Sequence, residues 1–194
     1  MKKDMFQRTT LSRRAFVTGT MATLAARPAQ AQCAPLDLGI QNIKQDMSNW
    51  CWVAAAQQVI FWANGSAPPQ CAMVSLVANT HAQITCANPQ AFNQPATFQP
   101  ISFLIGQFIG APSSMNGPGS PQQVYQTLAA GRPIIMLVQP GFSQVGHFVV
   151  LRGVSCAGPQ LIFHLNDPLN FTGFPTSVPY SQIAQMWHSA LIVG

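Results

Sequence analysis

Residues 45–62 read QDMSNWCWVAAAQQVIFW. From Trp52 onward, apolar side chains return at Val53, Ala56, Val59, Ile60 and Ala63, the spacing of one helix face, and Asn64-Gly65 supplies a stop. Ser48 or Asn49 stands where a helix cap belongs. The run therefore predicts a helix that is core along one side and begins near Cys51, a thiol set between Trp50 and Trp52. At a helix start a cysteine meets unpaired backbone N–H groups and the positive end of the helix dipole, both of which favour the thiolate. The competing reading is a small core residue, the commonest fate of a lone cysteine on an apolar helix.

Outward from this helix the chain changes character. Residues 72–80 and 98–109 have helical spacing, with a mainly irregular ANPQAFNQPATFQP between them. Residues 110–121, GAPSSMNGPGSP, read as a surface loop. Ser120 and Pro121 then cap and open another helix that ends near Gly131. Beyond it come short apolar runs at 133–138, 147–154, 160–166 and 190–193, which predict strands of an antiparallel sheet or small barrel. The expected class is α+β, with helices N-terminal and sheet C-terminal.

The first 31 residues have the marks of an export signal. A basic start is followed by Arg13-Arg14, an apolar stretch from Ala15 to Ala26 and a small-x-small site, Ala29-Gln30-Ala31. The arginine pair after Ser12 resembles a twin-arginine signal. About twelve apolar residues at 1.5 Å each span roughly 18 Å, short of the ~30 Å of a hydrocarbon core, so no stable membrane anchor is expected after signal removal. The expected mature domain is 32–194.

That cut removes the basic character of the chain. Residues 32–194 carry Lys44, Arg132 and Arg152 against Asp37, Asp46 and Asp167, and there is no glutamate anywhere. Without a basic stripe, nucleic-acid binding is excluded as an expectation, because it needs several cations to replace counterions around phosphates. His81, His164 and His188 lack partners at ligand spacing, and no Cys-x-x-Cys pair exists, so neither a metal nor another cofactor is expected.

Five cysteines leave an odd one in an exported chain, which points to two bridges and one free thiol. Cys51, between Trp50 and Trp52 at a helix start, is the candidate free thiol; Cys71 with Cys86 would then close a short loop and leave Cys33 with Cys156. Sequence alone leaves three pairings open for those four.

A thiolate becomes a catalyst when an imidazole, a group orienting that imidazole and donors for an oxyanion stand beside it. His147 sits at the head of a predicted strand in QVGHFVVLRGV, and Asp167 at the tail of the next in FHLNDP. A reversal between those strands would bring the head of one beside the tail of the other. Gln45, upstream of Cys51, can offer an amide beside the Cys51 backbone N–H.

These residues, in the order Gln45, Cys51-Trp52, Gly146-His147 and Asn166-Asp167-Pro168, resemble the papain-like cysteine peptidases. The likeness is to compact bacterial branches such as plant-pathogen effector proteases and bacteriocin-processing peptidases, and LAAGRPIIMLV before the histidine is similar to the same branches. The resemblance covers most of residues 41–170. It implies a helical lobe with the nucleophile, a sheet lobe with the base and a cleft between them. It also implies Cys51 as nucleophile, His147 as base and acid, Asp167 as orienter and Gln45 as oxyanion donor. Papain orients its histidine with asparagine, which makes Asn166 the rival of Asp167.

Three functions follow. The leading one is hydrolysis of peptide bonds in a peptide or protein substrate through an acyl-enzyme. The second passes the same acyl group to an amine or thiol, as a transpeptidase, transglutaminase or cyclase does. The third is a peptide-binding module on the same scaffold without turnover. No propeptide is expected in the short stretch before Gln45, so control by location, redox state or a protein inhibitor is the corresponding expectation. Trp50, Trp52 and Trp62 read first as core, and Asp167 before Pro168 could simply begin a turn.

Overall fold

The computed structural model describes residues 33–110, 113–139, 146–169 and 176–194, with backbone alone for 113–116. The expected export segment, 1–31, lies outside the described residues. In chain order the elements are β1 (Leu36–Asp37), α1 (Cys51–Asn64), α2 (Gln70–Val77), α3 (Ala82–Ala87), a 3-10 turn (Pro89–Phe92) and α4 (Phe98–Phe108). They continue with β2 (Ser113–Asn116), α5 (Pro121–Ala129), β3 (Ile134–Val138), β4 (His147–Ala157), β5 (Gln160–Asn166), β6 (Ser177–Pro179), α6 (Tyr180–Ile183) and β7 (Trp187–Ile192). The class is α+β, as the sequence predicts.

All strand pairs are antiparallel, in the order β2-β7-β3-β4-β5-β6, with β1 added alongside β4. Strand β3 lies inside this sheet and is apolar on both faces. Ile135 joins a cluster with Phe148, Val150, Leu191 and the helices α1, α2 and α4, whereas Ile134 and Met136 join Val149, Leu151, Phe163 and α5 on the other face. Successive residues of a strand point to opposite faces, so burial on both sides turns an alternating pattern into the continuous run IIMLV. Helix α1 is buried almost all round. Trp52, Ala54, Ala55, Ala56, Val59 and Ile60 are all core, and the three alanines let the helix lie close among its neighbours. Each fully buried Val or Ile contributes about 1.5–3 kcal/mol, so the residue at the head of α1 rests on a firmly anchored helix.

Three sequence expectations need correction. Neither Ser48 nor Asn49 caps α1; Trp50 holds the cap position and makes no side-chain cap bond. Both polar residues are engaged elsewhere: Asn93 accepts from the Asn49 backbone N–H at 2.9 Å and donates to Ser48 Oγ at 2.9 Å. The 110–121 stretch is not all loop, because Ser113–Asn116 pairs with β7 as an edge strand. Its Ser-Ser-Met-Asn sequence has no apolar alternation, and an edge strand of this kind is defined by its partner. Third, α1 is not core along one side only, since Val53, Ala54, Ala55 and Ala56 are consecutive and all buried; β1 and β6, of two and three residues, carry no expectation because they are too short to leave a periodic signal. The stretch ANPQAFNQPATFQP is mainly irregular as expected, with the 3-10 turn inside it, while α3 lies almost entirely ahead of it in residues for which no element is expected. The expected stop at Asn64-Gly65 is observed, with Gly65 left-handed at φ 72°. The helix opened by Pro121 carries a full capping box between Ser120 and Gln123.

Gly153 is required by packing. A Cβ there would stand 2.4 Å from the Leu36 carbonyl oxygen, so β1 can approach β4 only at a glycine.

Candidate active site

Cys51 is the first residue of α1 and the one free cysteine among the described residues. Cys33 is bonded to Cys156 and Cys71 to Cys86. The first backbone N–H groups of α1 have no acceptor within the helix, and with no side-chain cap and no acidic residue in the first turn the positive helix end faces the thiol unneutralised.

His147 opens β4, where it pairs with Val138. Three residues along β4 from His147, Val150 lies opposite Asn166, the last residue of β5, so the chain leaves β5 beside the head of β4. Asp167 is the next residue. Its Oδ1 lies 2.6 Å from His147 Nε2 and also accepts from the Leu169 N–H at 2.9 Å. With Nε2 engaged by the carboxylate, Nδ1 is the nitrogen left for Cys51, whose thiol is near enough to the ring to bear on its charge. The Asp167 side chain is 5% exposed and that of His147 17%. The carboxylate is therefore sealed behind the imidazole, and approach from solvent is to the ring and the half-buried thiol.

Burial alone would lower the His147 pKa. The hydrogen bonds from Asp167 and Cys51, with the charges of both, outweigh it and raise the value from 6.5 to about 9. An imidazolium retained across neutral pH is what a thiolate partner needs.

Asn166 faces elsewhere: its Nδ2 donates to the Ile40 carbonyl at 2.8 Å, buried. Of the two candidates for contact with the imidazole, Asp167 makes it.

Gln45 is buried upstream of Cys51, and both amide hydrogens go to backbone carbonyls, of Met47 at 2.7 Å and Ser48 at 2.8 Å. Its Oε1 has no partner. Thus the resting structure places Gln45 as the brace of the loop that delivers Cys51, rather than with a free donor as the sequence suggests. The three tryptophans also brace irregular chain: Trp50 donates to Phe92 O, Trp52 to Gln94 O and Trp62 to Leu38 O.

The strap from Ile40 to Gln45 leaves no periodic signal in the sequence. This segment has no regular structure, yet it is tied to the tail of β5 at three points. Asn166 donates to Ile40 O, Asn42 Nδ2 donates to Asp167 O at 3.0 Å, and Gln45 N donates to Pro168 O at 2.8 Å. Two buried glutamines hold it from the helix side. Gln58 donates to Ile43 O, while Gln70 donates to Lys44 O and accepts from Asp46 N. The available signal was a polar pair, Gln57-Gln58, within the otherwise apolar run of α1.

Among the described residues there is no cluster of metal-ligating side chains, and no helix long and apolar enough to cross a membrane.

Comparison with known proteins bears on the whole arrangement. A crystal structure of a candidate C39-like peptidase from Bacillus anthracis superposes with a TM-score of 0.58 at 15% identity, covering 83% of this chain and 98% of that one. At that identity the likeness establishes the fold. No curated protein matches the chain. The model of the Peptidase_C39 like family matches residues 37–190, a span that holds every residue of the site. A papain-like fold with that match over most of its length means that the chain belongs to the Peptidase_C39 like family of cysteine peptidases.

Proposed function

We propose that this protein hydrolyses peptide bonds with Cys51 as nucleophile, His147 as general base and acid, and Asp167 as the residue that orients the imidazole. The observation that carries the reading is the position of one imidazole between a buried carboxylate and the only free thiol among the described residues.

In this reading the resting pair is Cys51 thiolate with His147 imidazolium. The sulfur attacks the scissile carbonyl carbon, and the carbonyl oxygen takes the negative charge. The Cys51 backbone N–H at the uncapped helix end donates to that oxyanion. Gln45 supplies a second donor by turning one amide hydrogen away from the Met47 or Ser48 carbonyl. Collapse of the adduct expels the amine, which takes its proton from His147 Nδ1 and leaves a thioester. Neutral His147 then removes a proton from water, the hydroxide attacks the thioester, and the acid product departs as the thiol proton balance returns to the ion pair.

The bridges support a site of action outside the cytoplasm. Two disulfides in one small chain are maintained in an oxidising compartment, which supports an exported, periplasmic or secreted protein. A peptide or protein is the substrate of this reading, and a separate protein inhibitor is the regulator it leaves room for.

Incubation of the oxidised protein with a mixed peptide library, read by mass spectrometry, tests the proposal. Hydrolysis adds one water across each cut and disappears in Cys51→Ser and His147→Ala. Products that carry an added amine such as glycinamide in place of water would move the assignment to acyl transfer. A folded wild-type protein that cuts nothing, and whose Cys51 is an ordinary thiol, would overturn it.

A further inference from the structure

Gln58 lies two turns along α1 from Cys51 and is fully buried in a helix whose other inward residues are apolar. Its Nε2 donates to Asn42 Oδ1 at 3.1 Å and to the Ile43 carbonyl at 3.0 Å. Asn42 in turn gives its Nδ2 hydrogen to the Asp167 carbonyl at 3.0 Å, and the Asp167 carboxylate holds His147. The path closes on itself: it leaves Cys51 along α1, crosses through Gln58 and Asn42 to Asp167, and returns through His147 to the thiol.

We propose that Gln58 and Asn42 are positioning residues that set the spacing between the nucleophile helix and the Asp167 carboxylate. This inference rests on reading Cys51, His147 and Asp167 as one catalytic set.

Two features support it beyond the contacts. Asn42 is exposed, so water competes for its bond to the Asp167 carbonyl. Gln58 removes that freedom: with Asn42 Oδ1 accepting from Gln58, the amide can turn only its nitrogen toward Asp167. Second, Gln58 Oε1 is buried without a partner. An unpaired buried acceptor carries a cost that a methionine of similar volume would avoid, so stability alone does not call for glutamine here. What the glutamine contributes is its two donors. Because every member of the link is an amide, the link itself does not titrate. Among the described residues, the titratable groups acting on His147 are Cys51 and Asp167, and neither needs to be altered to test the link.

The test is the titration of the His147 ring, followed by NMR with ring-labelled histidine and assigned with His147→Gln. It would be run on the oxidised wild-type protein, Gln58→Met and Asn42→Ala, with thermal melting alongside. In the wild type the midpoint should lie near 9. In both variants it should fall by about one pH unit, and Cys51 alkylation by iodoacetamide at about pH 5 should slow by roughly tenfold, since a small misplacement of an orienting group is felt at the reacting atoms. Asn42→Ala alters an exposed side chain and should melt within a few degrees of wild type, so its effect on His147 would not reflect lost folding. If Gln58→Met fails to fold, Asn42→Ala decides alone. Folded variants with wild-type midpoints and alkylation rates would overturn the positioning role and leave the catalytic reading intact. A wild-type His147 midpoint near 6.5 with an ordinary Cys51 would overturn the catalytic reading first, and the positioning role with it.

Discussion

Asp167 and Asn166 are consecutive in the chain and hold opposite commitments: Asp167 Oδ1 meets His147 Nε2 at 2.6 Å, while Asn166 Nδ2 is buried against the Ile40 carbonyl at 2.8 Å. Alternation at the end of a strand sends neighbours to opposite sides, so only one of the two can reach the imidazole. Removing them should therefore have different consequences. Asp167→Ala should lower peptide hydrolysis by about 10²-fold or more, through loss of the imidazole's orientation and of its charge partner. Asn166→Ala should act mainly on stability, by about 1–3 kcal/mol, because it leaves the Ile40 carbonyl buried and unpaired. Steady-state rates and chemical denaturation on both variants check this. Equal rate losses in fully folded samples would contradict the assignment.

Stability should depend on pH through His147. Its pKa is raised from 6.5 to about 9 in the folded chain, so the folded state holds a proton that the unfolded state releases. The stabilisation is complete below pH 6.5 and is lost as pH rises through 9, with a slope of up to about 1.4 kcal/mol per pH unit between them. Denaturation curves from pH 6 to 10 should show this decline in the wild type and a flatter profile in Asp167→Asn. Hydrolysis should fall on the same alkaline limb, since neutral His147 has no proton to give the leaving amine.

The bridges should differ in weight. Cys71–Cys86 joins residues 15 apart and Cys33–Cys156 residues 123 apart. Chain-entropy arguments give about 3 kcal/mol for the shorter loop and nearly 5 kcal/mol for the longer. Replacing Cys33 and Cys156 with serine should lower the denaturation midpoint more than replacing Cys71 and Cys86. Peptide mapping of the oxidised protein should find Cys51 unbridged.

Gln45 offers a finer test of the oxyanion. Gln45→Glu keeps length and burial but replaces both donors with acceptors that face the Met47 and Ser48 carbonyls. It should reduce kcat by about 10²-fold and also loosen the loop before Cys51. If Gln45 only braces that loop, melting temperature and kcat should fall together across Gln45→Glu, Gln45→Met and Gln45→Ala; a kcat loss without a matching loss of stability marks the oxyanion role.

The helix at Cys51 was legible because its apolar period and its Asn64-Gly65 stop agree with each other. Strands β3 and β4 are legible because burial on both faces makes them near-continuous apolar runs, and β5 and β7 because each keeps a short apolar core. From two of those strands the meeting of His147 and Asp167 followed, since an antiparallel reversal puts the tail of β5 beside the head of β4. What escaped was structure held by polar side chains rather than by period. The strap at 40–45 has no repeat of its own; it exists because Asn166, Gln58 and Gln70 bind its backbone groups from elements far away in sequence. The same cause misled the expected cap, since Ser48 and Asn49 bind Asn93 instead of the helix end.

The central claim is that Cys51 is a thiolate held by His147, and the pH dependence of its alkylation tests that most directly. The rate of iodoacetamide modification would be measured from acid to neutral pH on the folded, oxidised protein, beside Cys51→Ser and His147→Ala. The account predicts modification that persists several units below the ~8.5 of an ordinary thiol, absent in Cys51→Ser and shifted back toward that value in His147→Ala. A wild-type Cys51 whose reactivity falls away below about 8.5, as in a free peptide, or that is inert in the folded chain, would contradict it.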